Sequence, residues 1–141
     1  MDSTAALVIW FVGALVGSML FFAVAVAPTV FNVLTARQAG LFLRAFFPHY
    51  YLWGLVFALI AAAIAMTANA AASVVLLLVA LLFVFARQVL MPGINRARDD
   101  ESMGLPGAAR RFRLLHLWSV LINVFQMLIL LVAAFLLHWS G

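Results

Sequence analysis

The residues best able to do chemistry stand on one face of the last apolar stretch. Arg113, His116, Ser119, Asn123 and Gln126 are spaced 3, 3, 4 and 3, the rhythm of one helix face. Leu114, Leu117, Leu121, Ile122, Leu128 and Ile129 take the other faces. Such a stripe runs about 20 Å along a helix. In hydrocarbon each unsatisfied amide costs several kcal/mol, so the stripe must face a bundle interior or a wet cavity. Two readings follow. The polar groups are interhelical hydrogen-bond glue, or they line a polar path or ligand pocket. In the second reading Arg87 and Asn95, near the end of the preceding apolar stretch, join the site. Arg87 either snorkels to the headgroups or points inward to hold an anionic group.

A second constellation involves histidine. His49 and His116 stand near the starts of the second and fourth apolar stretches. If those helices are neighbours, two imidazoles could ligate haem iron or copper without any thiolate; the alternative is interfacial hydrogen bonding. His138 is assigned no role. The chain has no cysteine, which excludes disulfides, thiolate nucleophiles and cysteine-based metal centres. Asp99, Asp100 and Glu101 form an acidic run beside Gly104 and Pro106. The run reads as a solvated loop that partly neutralises Arg96 and Arg98, not as a cation site.

The elements that position these residues follow from composition. Of 141 residues, 69% are hydrophobic and 9% charged. So few charges cannot clothe a soluble fold, and the bilayer must be the solvent for most of the surface. Ala5 to Ala27 carry no charge, and neither do Tyr51 to Ala86. The latter run is too long for one crossing of about 30 Å. It divides at Asn69, with Ser73 placed to cap the next helix. The expected spans are 5–27, 51–67, 74–90 and 114–137, joined at one end by loops 28–50 and 91–113, in a single transmembrane domain. The fold class is an all-α polytopic membrane four-helix bundle.

All eight basic residues are arginines, and all lie in or beside those two longer loops. The positive-inside rule puts the loops in the cytoplasm and both termini outside. The pI near 11.2 is therefore a topology signal, and nucleic acid is not an expected partner. Ala23 to Ala27 resemble a signal-peptide cleavage site, but no basic residue precedes the first span, so that span reads as retained. Between Thr35 and Phe47, apolar Leu41, Phe42, Ala45 and Phe46 are interleaved with Arg37 and Arg44. This pattern fits a short interfacial cytoplasmic helix with its arginines on lipid phosphates. Phe46 to Trp53 and Trp139 supply aromatic anchors.

Gly13 and Gly17 form a small-xxx-small pair, beside Ala14 and Ser18. It reads first as packing within the bundle, with a homodimer contact as the alternative. Pro28 and Pro92 should kink or end their helices. The order Pro28, Asn32, His49 is echoed by Pro92, Asn95, His116. An internal repeat would bring both proline ends and both histidines to one vestibule.

Several short motifs carry a family resemblance. They are Val26-Ala27-Pro28-Thr29-Val30-Phe31, Ala39-Gly40 leading to Phe47-Pro48-His49-Tyr50-Tyr51, Pro92-Gly93-Ile94-Asn95-Arg96-Ala97-Arg98-Asp99, and Phe112-Arg113-Leu114-Leu115-His116-Leu117-Trp118-Ser119 with Asn123. In this order they resemble the transmembrane protein 205-like family of small four-span proteins, over essentially the whole chain. Leu117-Trp118 depart from the smaller residues the pattern favours. The resemblance implies a bacterial inner-membrane protein without an assigned activity. The vertebrate namesake's association with tolerance of platinum drugs points towards transport or trafficking. The architecture is also similar to copper-resistance D-type domains and to a small bacterial protoporphyrinogen oxidase. The oxidase pattern has a histidine in its first span, and this chain has none there, which counts against an enzyme.

Three functions are thus expected. The first is a non-enzymatic membrane protein that binds or passes a small molecule, ion or lipid group along the fourth span. The second is a haem or copper redox protein using His49 and His116. The third is an accessory or assembly subunit of a larger membrane complex or a homo-oligomer. Membrane lipids are partners in all three.

Overall fold

The computed structural model describes residues 3–139. Asp2, the one charge ahead of the first span, lies outside the described residues. The described chain contains four helices long and apolar enough to cross a membrane. They are α1 (Ser3–Val33), α2 (Ala36–Ala65), α3 (Ala70–Ser102) and α4 (Ala108–Trp139). Each runs to about 45 Å or more at 1.5 Å per residue, so all four exceed the roughly 30 Å of hydrocarbon. The chain is a multi-pass membrane protein. The helices pack as a ring, α1 on α2, α2 on α3, α3 on α4 and α4 back on α1.

The segments expected as loops at the arginine-rich end are mostly helical. The first loop shrinks to the turn at Leu34 and Thr35, where a reciprocal capping box between Thr35 and Gln38 starts α2. The stretch expected to be a separate interfacial helix is helical, but it runs through Pro48 into the second span without a break. In the second loop α3 continues to Ser102, and a short turn leads to α4 at Ala108. That turn needs Gly104 and Gly107, whose φ angles of 71° and 75° lie in the left-handed region that favours glycine. Asp99 and Asp100 are therefore on a helix, not in a loop. They pair with Arg44 and Arg111 at 2.6 and 2.8 Å, not with Arg96 and Arg98.

Pro28 and Pro92 do not end their helices. The turn before each is widened instead. The Ala27 N–H bonds back to the Phe22 carbonyl, and the Met91 N–H to the Ala86 carbonyl. These are i to i−5 bonds, one residue longer than an α-helical turn. A proline has no N–H and its ring crowds the preceding turn, so a wide turn gives the ring room while the helix goes on. The two devices are alike.

The end of the bundle away from the arginines is solidly packed. Val8, Leu15, Leu76, Val79, Phe83, Leu130 and Leu137 are fully buried there. Ala58, Ala61, Ala62 and Ala65 of α2 are buried with Ala72 and Ala80 of α3, and small residues let the two backbones come close. Gly54 is the extreme case, since a Cβ there would collide with the Phe83 ring. Asn69 caps α3 by accepting from the Ala72 N–H, and its amide donates to the Leu136 carbonyl of α4. Ser73 is not a cap. It is buried and donates to the Ala62 carbonyl across the hairpin.

Gly13 and Gly17 correct another expectation. Both are exposed, and a Cβ on either would meet nothing within 4 Å. The inward face of α1 is instead Ala5, Val8, Val12, Leu15 and Met19. Gly13 and Gly17 lie off that face, and a side chain at either position would meet no other helix.

Candidate functional site

At the arginine-rich end the packing opens into a cavity of about 820 Å³, inside the roughly 300–1,000 Å³ range of small-molecule sites. Its cause lies in α1. Up to Phe21 this helix packs on both α2 and α4. Past the wide turn it leans on the start of α2, where Val30 meets Ala39 and Leu43 in a small separate core. The far end of α1 thus leaves α4, and the space between them is the cavity.

Helix α4 supplies the polar wall. His116, Ser119, Asn123 and Gln126 all line the cavity, as their spacing predicts. Gln126 is deepest, 1% exposed, and its amide donates to the Val79 carbonyl at 3.3 Å. Asn123 accepts from the Tyr50 hydroxyl at 3.2 Å. The amide N–H groups of Asn123 have no hydrogen-bond acceptor among the described residues. The Ser119 hydroxyl donates back to the His116 carbonyl at 2.7 Å, so its lone pairs are free. The His116 ring stacks parallel to Phe112, with centroids 6.0 Å apart.

Asn95 lines the same cavity, while Arg113 and Arg87 do not. Arg113 is exposed. At about 100° per residue it stands roughly 60° from His116 and 140° from Gln126, beyond the edge of the stripe. Arg87 sits within the wide turn of α3. Its Nε is buried without a hydrogen-bond partner among the described residues.

The histidine pair does not converge. His116 lines the cavity, and His49 does not. Phe47, Tyr50 and Tyr51 give α2 its inward face, and His49 is on the other side, exposed, with Nδ1 3.0 Å from the Ala45 carbonyl. The shared histidine vestibule that the expected repeat requires is absent, so the likeness of the two proline turns stands without it. Among the described residues no cluster of three or more His, Asp or Glu side chains is placed to hold a metal ion.

Four contributors escape the sequence reading. Tyr50 and Tyr51 read as interfacial anchors, yet they are buried in the cavity wall. Their common face with Phe47 and Gly54 is the signal that could have found them. Arg98 and Gly40 are the others. Arg98 lines the cavity mouth, with its guanidinium carbon 5.0 Å from the centroid of Phe112. Its Nη1 lies where a Cβ on Gly40 would be only 2.9 Å away. Arg44 is also at the mouth, held by Asp99 and by the Asn95 carbonyl at 3.3 Å.

A family model described as a domain of unknown function, DUF4149, matches residues 10–102. The match covers most of α1, all of α2 and α3, and stops short of α4. No curated protein matches the chain, and no solved structure does.

Proposed function

The chain belongs to the DUF4149 family, and on that premise we propose that it is a membrane binding protein that holds or passes a small molecule or lipid group along α4. One observation carries this reading. The stripe of His116, Ser119, Asn123 and Gln126 faces a cavity large enough for a ligand, with polar groups still free to bond. Packing glue would be consumed by its helical neighbours, and only Asn123 and Gln126 bond to other helices. The resemblance to the transmembrane protein 205-like family supports a place in the bacterial inner membrane and a transport or trafficking role. The arginine distribution supports a cytoplasmic position for the cavity end.

Photolabelling tests the proposal. A neutral palmityl alcohol carrying a diazirine is incorporated into vesicles with the protein, irradiated, and mapped by mass spectrometry. Label is expected between Ser119 and Met127, and Ala27→Trp, which fills the cavity from α1, is expected to remove it. Label confined to outward residues such as Trp10 and Phe135, indifferent to Ala27→Trp, would leave the stripe as packing alone.

A second reading has its own observation. The outward Gly13 and Gly17 face suits another transmembrane helix, as a subunit of a homo-oligomer or larger complex would need. Substituting both by leucine would then lower the mass of the complex purified in mild detergent.

A further inference from the structure

We infer that the cavity takes an anionic amphiphile, with its acidic headgroup on Arg98 and its apolar chain admitted sideways between α1 and α4. This rests on the binding reading above and names the ligand class.

Arg98 is seated but not satisfied. Its guanidinium lies between Gly40 and the face of Phe112, two neighbours that fix its plane and accept none of its N–H groups in the usual way. Among the described residues it has no ion pair and no hydrogen-bond acceptor. Its neighbours are treated differently. Adjacent Asp99 and Asp100 make their direct pairs with Arg44 and Arg111, which leaves the planar N–H fork of Arg98 without a carboxylate bonded to it. That geometry matches a carboxylate or phosphate in a bidentate pair. Glu101, at the exposed rim of the cavity, and Asp99 both attract the Arg98 charge, and Arg44 repels it, but neither carboxylate bonds to the guanidinium, so a headgroup there would compete with them through direct hydrogen bonds.

Beyond Arg98 the walls facing the polar stripe of α4 are largely apolar. Phe22, Phe47, Met91, Ile94, Ile122 and Met127 all line the space. From Phe112 to Met127 it follows α4 for about 22 Å, the reach of a single extended acyl chain. A bare inorganic anion would use the arginine and leave this lining empty, and a plain hydrocarbon would do the reverse.

The way in is lateral. Ala23 and Phe31 of α1, with Val120 and Val124 of α4, line the cavity and are exposed, so the cavity is not closed over between these two helices. They flank the place where α1 and α4 part. A chain can lie through that gap while its head stays at the arginine-rich end.

The test extends the photolabelling to three probes with the same palmityl diazirine chain, ending in alcohol, carboxylate or phosphate. Charge-assisted hydrogen bonds should favour the two anionic probes roughly tenfold or more in cavity labelling. Arg98→Gln should bring them down to the level of the alcohol and leave alcohol labelling unchanged, which also reports that the cavity is intact. Gly40→Leu, which pushes the guanidinium off its seat without removing charge, should give the same loss. Arg111→Gln, removing a charge already tied to Asp100, should change nothing. Equal labelling by all three probes, or indifference to Arg98→Gln, would overturn the headgroup assignment while the cavity reading stood. If no probe labelled the cavity, both would fall.

Discussion

At the scale of single residues, Gly54 has the least room of the described glycines, against the ring of Phe83. A methyl at position 54 would need the ring, itself fully buried, to move. Overpacking of this kind costs about 1–3 kcal/mol. Gly54→Ala should therefore lower the thermal unfolding midpoint in detergent, and Phe83→Leu in the same chain should recover part of the loss. A midpoint unchanged by Gly54→Ala would mean the ring has room that the packing does not reveal. The polar residues of the site divide by how they signal themselves. His116, Ser119, Asn123 and Gln126 were legible because polar groups at helical spacing in an apolar run have one tolerable direction. Arg98 was not, because Pro92, Gly93 and the acidic run together look like a loop. A residue in a loop has no face, so nothing in the sequence aimed Arg98 at Phe112 or Gly40. His49 misled for a related reason. Its place near the start of a span says nothing about direction, and one residue along a helix turns a side chain by about 100°.

At the scale of elements, the number and order of helices could be read from hydropathy and arginine placement alone, and so could the break at Asn69. The lengths could not. A charged or polar turn of helix outside the bilayer looks like a loop to a hydropathy argument, and only capping by Thr35 and the glycines at 104 and 107 mark the true ends. Proline was informative about place but not about outcome. Pro28 and Pro92 each sit one residue past a wide turn, and the helix absorbs them instead of stopping. Removing the proline removes the reason for the wide turn. Pro28→Ala should let α1 regain regular winding, which rotates everything beyond it by up to about 100°. The chain has no cysteine, so single cysteines placed at positions 29 to 33 can be read by maleimide labelling without background. Their accessibility pattern should shift by about one residue in Pro28→Ala. An unaltered pattern would show that packing of Val30 on Ala39 and Leu43, and not the proline, holds the wide turn in place.

At the scale of the whole molecule, the two ends are built differently. One is close-packed from alanine and leucine. The other is tied by ion pairs, in which α3 offers Asp99 to α2 and Asp100 to α4. Orientation in the membrane is a separate matter, argued from charge alone, and it has a direct test. With a cysteine at Thr67 and, separately, at Ser102, an impermeant maleimide added to intact cells should label position 67 at once and position 102 only after permeabilisation. The reverse order would invert the topology and move the cavity to the other face. Whichever face it is, the parting of α1 from α4 has a consequence for dose. An opening that looks into oil and not into water samples a solute at its dissolved concentration in the lipid phase. Occupancy would then follow the partition coefficient as much as any intrinsic affinity. A greasy acid scarce in the surrounding medium could still fill the cavity by this route, whereas a water-loving one would have to enter at the arginine-lined mouth.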